Sequence, residues 1–202
     1  MAGKSVWTWA FTEKDPRFIP DAVQMSAKAD GDNFILDGTK LFVDNFLAAD
    51  YCLVVARSTA GSKGDKGLSL FIVDAKSAGI SHNVLITLAK DKQCEVVFKG
   101  VKVPKANVIG TVGEAWPIVE RMLDRGTALL CAQMVGAARK DIEMAIEYAK
   151  FRTAFGQPIG AFQSVQHNCA DMQMWVDGGE MLTFEALWRL DQGLPAKMEV
   201  SQ

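Results

Sequence analysis

The apolar residues of this chain change period once, in the Gly-rich segment IGTVGEAWP (109–117). Before it, short runs rich in Val, Ile and Phe are separated by turn residues. They are AVQMSAKA (22–29), closed by Asp30-Gly31; NFILDGTKLFV (33–43), with a second Asp-Gly at 37–38; YCLVVARS (51–58); LSLFIVDA (68–75); and CEVVFKGVKV (94–103). Runs of this length and punctuation predict strands. Several in succession predict a compact β-domain, a sandwich or barrel.

After the segment the spacing is helical. Cys131, Met134, Ala138, Ile142, Ala145 and Ala149 recur at steps of three and four, on one face of a helix. Arg139, Lys140, Asp141 and Glu143 fall largely on the other. The earlier part, TALLCAQMVGAA (127–138), is apolar almost all round and so needs neighbours. A second stripe runs through Phe162, Val165, Cys169, Met172 and Val176, and on through Leu182, Ala186 and Leu190. Gly178-Gly179 would loosen it, and Gly193-Leu194-Pro195 would stop it. The predicted class is α+β. A β-barrel or sandwich over residues 1–112 is followed, over 113–202, by long antiparallel helices of an incomplete four-helix bundle. Two helices do not close a bundle, and the chain starts inside what reads as an ordered strand. Both features suggest part of a longer protein.

Composition narrows the function classes. Charged residues make up 23% and the net charge is −2, with no basic stripe or acidic tail, so nucleic acid and anionic membrane are poor partners. No run approaches membrane-spanning length. The N-terminus, MAGKSVWTWAF, has neither a signal-peptide core nor a transit-peptide pattern. Cys52, Cys94, Cys131 and Cys169 lie far apart in apolar runs, which reads as free thiols in a reducing cytoplasm. His82 and His167 have no ligand neighbours in sequence, so a metal has little support.

One stretch between the helices is chemically dense: KFRTAFGQPIGAFQSVQHNCADM (150–172). On local pattern it is a helix hairpin. Lys150 and Arg152 would sit in the last helical turn, Gly156 would be the left-handed cap, and Pro158 would prevent continuation. The same residues also suit a ligand with phosphates and a flat ring. Arg152 offers a planar fork for pyrophosphate, Phe155 a stacking face, and Gln163 and Gln166 amides that donate and accept.

This stretch closely resembles the acyl-CoA dehydrogenase signature, in which Arg-x-x-Phe-Gly is followed by Pro-Ile, Phe-Gln, Gln-His and Ala-Asp-Met. Other segments resemble the same family in the same order. WAFTEKD (9–15) is similar to its flavin-contacting Thr-Glu strand, and DGTKLFVDN (37–45) to its Asn-Gly-x-Lys-x-Trp-Ile-Thr-Asn element. CEVVFKGVKVPKANVIG (94–110) is similar to the strand pair that leads into the helical domain. The resemblance covers nearly the whole chain and implies a middle β-domain plus the first half of a C-terminal helical domain.

The resemblance also implies FAD, extended between domains and across a dimer interface. By position, Trp9, Phe11 and Thr12 would line the flavin ring, and Phe42, Val43 and Asp44 would approach its reactive nitrogen. Arg152, Phe155 and Gln163 would reach the adenine and pyrophosphate end of an FAD held by a neighbouring subunit. The implied reaction removes two hydrogens across the α and β carbons of an acyl-CoA. A buried carboxylate takes the α proton and hydride leaves for the flavin. The implied partners are the acyl-CoA, an electron-transfer flavoprotein as acceptor, and further copies of the chain in a dimer or tetramer.

Three departures qualify the match. The slot at which some members place a catalytic glutamate on the first long helix is Gly126, the more usual base would lie beyond residue 202, and no catalytic residue is assigned. Asp44 replaces a threonine; its carboxylate either faces the flavin or turns away to cap the next turn with Asn45. Phe18 stands where a serine often meets CoA. Glu13, at a family position, reads as structural. A flavin monooxygenase or oxidase of the same superfamily, and a non-catalytic partner subunit, therefore stand as alternatives.

Overall fold

The computed structural model describes residues 3–201. The chain divides into two compact units, residues 1–119 and 120–202. In the first, eight strands form one sheet: β1 (Trp7–Ala10), β2 (Ser26–Asp30), β3 (Asn33–Asp44), β4 (Tyr51–Arg57), β5 (Leu68–Asp74), β6 (Ile80–Val84), β7 (Gln93–Pro104) and β8 (Val108–Ile109). The strand order is β6-β7-β3-β2-β4-β5-β8, with β1 parallel beside β4. The sheet is joined in the middle by a single parallel pair, Ser26 with Arg57. Side chains from both sides of this weak seam share one core. Phe34 of β3 meets Phe71 of β5 edge to face, with centroids 5.2 Å apart.

Five of the strands occupy the predicted runs. The 30–31 turn is shifted by one residue: Asp30 pairs with Asn33, so Gly31 and Asp32 form the loop. Asp37-Gly38 is not a turn. β3 runs through it, and β7 carries an extra residue opposite, around Lys99–Gly100. Inward residues of β7 accordingly switch phase, from Cys94, Val96 and Phe98 to Val101 and Val103. Gly38 is required by both its backbone and its surroundings. Its φ is 153°, and a Cβ there would lie 2.7 Å from Met25 Cγ. Strand β6 escaped prediction because it is an exposed edge with only Ile80 and Val84 apolar.

A second bulge lies further along β3. Lys40 pairs with Val96 but Val43 with Cys94, so β3 holds the extra residue at Leu41–Phe42. Phe42 takes a left-handed φ of 54°, unusual for an aromatic, and points outward, 51% exposed. The inward register of Phe34, Leu36 and Lys40 thereby passes to Val43.

The second unit holds most of α1 (Trp116–Phe151), then a two-residue hairpin of β9 (Thr153–Ala154) and β10 (Gln157–Pro158), and α2 (Gln163–Asp191). The helices run antiparallel. A Cβ on Gly160 would sit 3.0 Å from the Ala149 carbonyl, and one on Gly179 would sit 3.4 Å from Val135. Arg139 binds both Asp177 (2.9 Å) and Glu180. Gly178-Gly179 does not interrupt α2, and the helix ends just before Gly193, as its sequence signals. Ile142, Ala149, Val176 and Ala186 on the predicted stripes are buried. Met134, Trp175, Met181 and Phe184 are exposed, so these two helices leave apolar surface unpartnered within the unit.

No helix among the described residues is long and apolar enough to cross a membrane.

Candidate functional site

The predicted site residues fall into two groups, one in each unit. In the β-unit, residues 9–13 and 40–45 are tied side by side. The Leu41 amide donates to the Thr12 carbonyl at 2.8 Å, and the Thr8 hydroxyl donates to the Asp44 carbonyl. Trp9 stacks on Phe11, centroids 5.5 Å apart, and Phe11 stacks on Phe18 at 5.8 Å. Phe11 is the buried centre of this aromatic row, and Val43 is buried too, so any outward contact from these two runs through backbone. Trp9 and Thr12 are half-buried, while Phe42 and Asp44 are exposed.

Two polar groups here are uncommitted. Among the described residues, the Thr12 hydroxyl and the Asp44 carboxylate have no hydrogen-bond partner, and the short helical turn Phe46–Ala48 has no side-chain cap. The capping role open to Asp44 is thus not taken up. Asn45, in the left-handed region, bonds through its amide to the Lys92 carbonyl (2.7 Å).

Beneath this surface lies a group the sequence reading passed over. Lys40 is fully buried. Its ammonium donates to the Phe11 carbonyl (2.9 Å) and to Glu13 Oε1 (2.8 Å). Glu13 also accepts from the amides of Gln24 (2.9 Å) and Met25 (3.0 Å). Burial pushes the Lys40 pKa down from the ordinary lysine value, and the Glu13 carboxylate acts in the opposite direction. With its oxygens so engaged, Glu13 is structural. The signal was present in the sequence: Lys40 keeps the phase of Phe34 and Leu36, and a lysine on an inward register requires an acid.

In the helical unit, the segment 150–172 departs from a plain helix hairpin. α1 stops at Phe151, so Arg152 lies just outside it, its amide still bonded to the Tyr148 carbonyl (2.9 Å). Gly156 is not the helix cap, and Pro158 lies in β10. Ala154 pairs with Gln157, so Phe155 and Gly156 are the two central residues of a tight turn, with φ of 52° and 81°. Positive φ at both positions is the type I′ pattern, which strongly favours Asn-Gly or Gly-Gly.

Phe155 is 96% exposed, and the one aromatic ring beside it among the described residues is that of Phe162, edge to face at 6.2 Å. Among the described residues the Arg152 guanidinium has no ion-pair or hydrogen-bond partner, and it is exposed. Gln163, the first residue of α2, has its amide nitrogen 3.4 Å from His167 Nε2. Gln166 donates to the Gly160 carbonyl (2.9 Å) and so braces the loop.

Comparisons with known proteins agree with this anatomy. Residues 8–101 match the family model "Acyl-CoA dehydrogenase, middle domain", and residues 113–202 match "Acyl-CoA dehydrogenase, C-terminal domain". The chain is 33% identical, over 206 residues, to the caffeyl-CoA reductase-Etf complex subunit CarC of Acetobacterium woodii, covering 100% of this chain and 54% of that protein. The structure of butyryl-CoA dehydrogenase from Megasphaera elsdenii superposes with a TM-score of 0.90 at 30% identity, over 97% of this chain and 52% of the other. A structure described as the FAD complex of PigA gives 0.91 at 29% identity, over 98% and 52%. The chain spans about half the length of the relatives it matches. With both domain models matched in order, and the β-sheet and long helices aligned to solved members, the chain belongs to the acyl-CoA dehydrogenase family.

Proposed function

We propose that the protein is an FAD-dependent oxidoreductase that removes two hydrogens across the α and β carbons of an acyl-CoA, with the site residues divided between subunits of a homo-oligomer. The observation that carries this reading is Phe155. A large apolar ring is held almost fully exposed in a left-handed turn position. That costs stability in the free chain and makes sense if the ring stacks on a flat ligand.

The residues fit the cofactor. An uncommitted guanidinium at Arg152 suits a pyrophosphate, with Phe155 and Gln163 beside it for the adenine end. Trp9, Thr12 and Phe42 with the backbone of Phe11 and Val43 suit the flavin ring. Asp44 accepts from a ring N–H but cannot donate while ionised. When bound, FAD supplies the hydride acceptor. This chain's residues bind and orient it, and none is assigned as the base: Glu13 is consumed structurally, and Gly126 has no side chain.

The proposed domain limits are 1–112 and 113–202; the start of one family match at residue 113 is in keeping with them. An electron-transfer flavoprotein is proposed as acceptor, in keeping with the Etf complex named for the Acetobacterium relative. A cytoplasmic place in fatty acid metabolism completes the proposal.

Because no base is assigned within this chain, the test is made on the full-length protein, purified with added FAD and mixed anaerobically with a series of acyl-CoAs. Bleaching of the visible flavin band is expected. A yellow protein that is not bleached but turns over with reduced flavin and oxygen would instead make it a monooxygenase. A protein that stays colourless would make it a non-catalytic partner.

A further inference from the structure

We propose that the buried Lys40–Glu13 ion pair is a positioning device, which fixes residues 11–13 against 40–42 so that Thr12 and Phe42 present a set surface to the flavin ring. The proposal rests on the FAD reading above. Lys40 lies on the inward face of β3, fully buried, and its ammonium grips both neighbours of Thr12: the Phe11 carbonyl at 2.9 Å and Glu13 Oε1 at 2.8 Å. One residue further on, the Leu41 amide binds the carbonyl of Thr12 itself at 2.8 Å. Three consecutive residues of one segment are thus held by two consecutive residues of the other. The Leu41–Phe42 bulge begins at that point.

Glu13 carries the same register further. It takes the amides of Gln24 and Met25, so the connection between β1 and β2 is anchored at both ends of one carboxylate. Met25 is in turn the residue that a Cβ on Gly38 would strike. The network therefore ties the 11–13 segment, the start of β2 and the middle of β3 into one body.

A buried ion pair is a poor source of stability, because the lost hydration of two charges offsets their attraction. Packed apolar side chains of the same volume would hold the fold as well. They would not fix the direction of a carbonyl and a carboxylate along the chain. The pair sits two residues from Phe42, whose backbone is already in a strained region that persists only when its surroundings over-determine it. Orientation of this surface is the use that distinguishes Lys40 from a methionine.

The experiment compares the protein with the double variant Lys40→Met, Glu13→Gln, which removes both charges together and leaves an acceptor for the 24 and 25 amides. Lys40→Met alone, which leaves the Glu13 carboxylate its Gln24 and Met25 amide donors, serves as the second variant should the double one fail to fold. Two readouts are needed. Hydrogen exchange without FAD should show peptides covering 9–15 and 39–46 exchanging at least tenfold faster, with β4 and β5 unchanged. FAD affinity should fall at least tenfold, with altered visible circular dichroism of the bound flavin, while the melting temperature moves by only a few degrees.

Unchanged exchange in the two segments would show that the pair does not hold them, and would overturn the proposal. Faster exchange with unaltered affinity and dichroism would also overturn it, while leaving the FAD reading intact. Failure of the unsubstituted protein to take up FAD would remove that reading and the positioning role with it.

Discussion

Phe155 and Gly156 share one tight turn in which both residues have positive φ, 52° and 81°. Glycine adopts that conformation freely; phenylalanine does not. The natural solution for such a turn is Asn-Gly. Phe155→Asn should therefore stabilise the protein by roughly 1 kcal/mol, the usual scale of a left-handed penalty. The same variant should bind FAD less tightly. Urea unfolding and an FAD titration check the two halves. A variant with lowered stability and unchanged FAD affinity would mean the ring serves only the local fold.

Gly38 makes the opposite prediction. Alanine there would place its Cβ 2.7 Å from Met25 Cγ and 3.0 Å from Met25 Cα, at a φ of 153°. Backbone is involved, so relief through one flexible side chain is incomplete. Gly38→Ala should destabilise by about 1–3 kcal/mol, read as a lower urea midpoint.

Gly136 is a glycine with no such duty. It lies within α1, is exposed, and has nothing within 4 Å of an added Cβ. Gly136→Ala should raise stability by about 0.5–1 kcal/mol through helix propensity and the lost freedom of the unfolded chain. A thermal melt checks it.

Burial pushes the Cys52 thiol up from 9.0 to about 12, with Lys40 acting weakly the other way. Between those values the folded thiol keeps a proton that the unfolded one has lost. Its contribution to stability is complete below pH 9 and is lost as pH rises towards 12. At pH 11 the loss is up to about 3 kcal/mol. Cys52→Ala should flatten this part of the stability-pH curve. At pH 8, Cys131 and Cys169, both half-buried, should react with a thiol reagent before Cys52 and Cys94 do.

The sequence revealed the class of fold through its change of period at 109–117, and it located most strands because their apolar runs are long and β-branched. It did not reveal β6, an edge strand that buries little. It read Asp37-Gly38 and Gly156 by residue type alone. One proved to be the site of a bulge in the β3–β7 pairing and the other half of a β-turn, distinctions set by pairing partners far along the chain. Lys40 was legible only after its register was known. Arg152 and Phe155 stood out only through the family resemblance, since local pattern alone gave Arg152 a place in the last helical turn; their exposure came from the structure. The burial of Phe11 and Val43 was not legible, since it depends on an aromatic row and a bulge that no short window contains.

We propose that Arg152 and Phe155 together grip FAD. The most direct measurement is the affinity of the purified protein for FAD beside that of Arg152→Ala, a substitution at an exposed side chain with no partner among the described residues, so the fold should be unaffected. A yellow protein is expected, with a variant that loses FAD at least tenfold more readily because a charge-assisted contact to phosphate is removed. Equal FAD retention by the two proteins would contradict it.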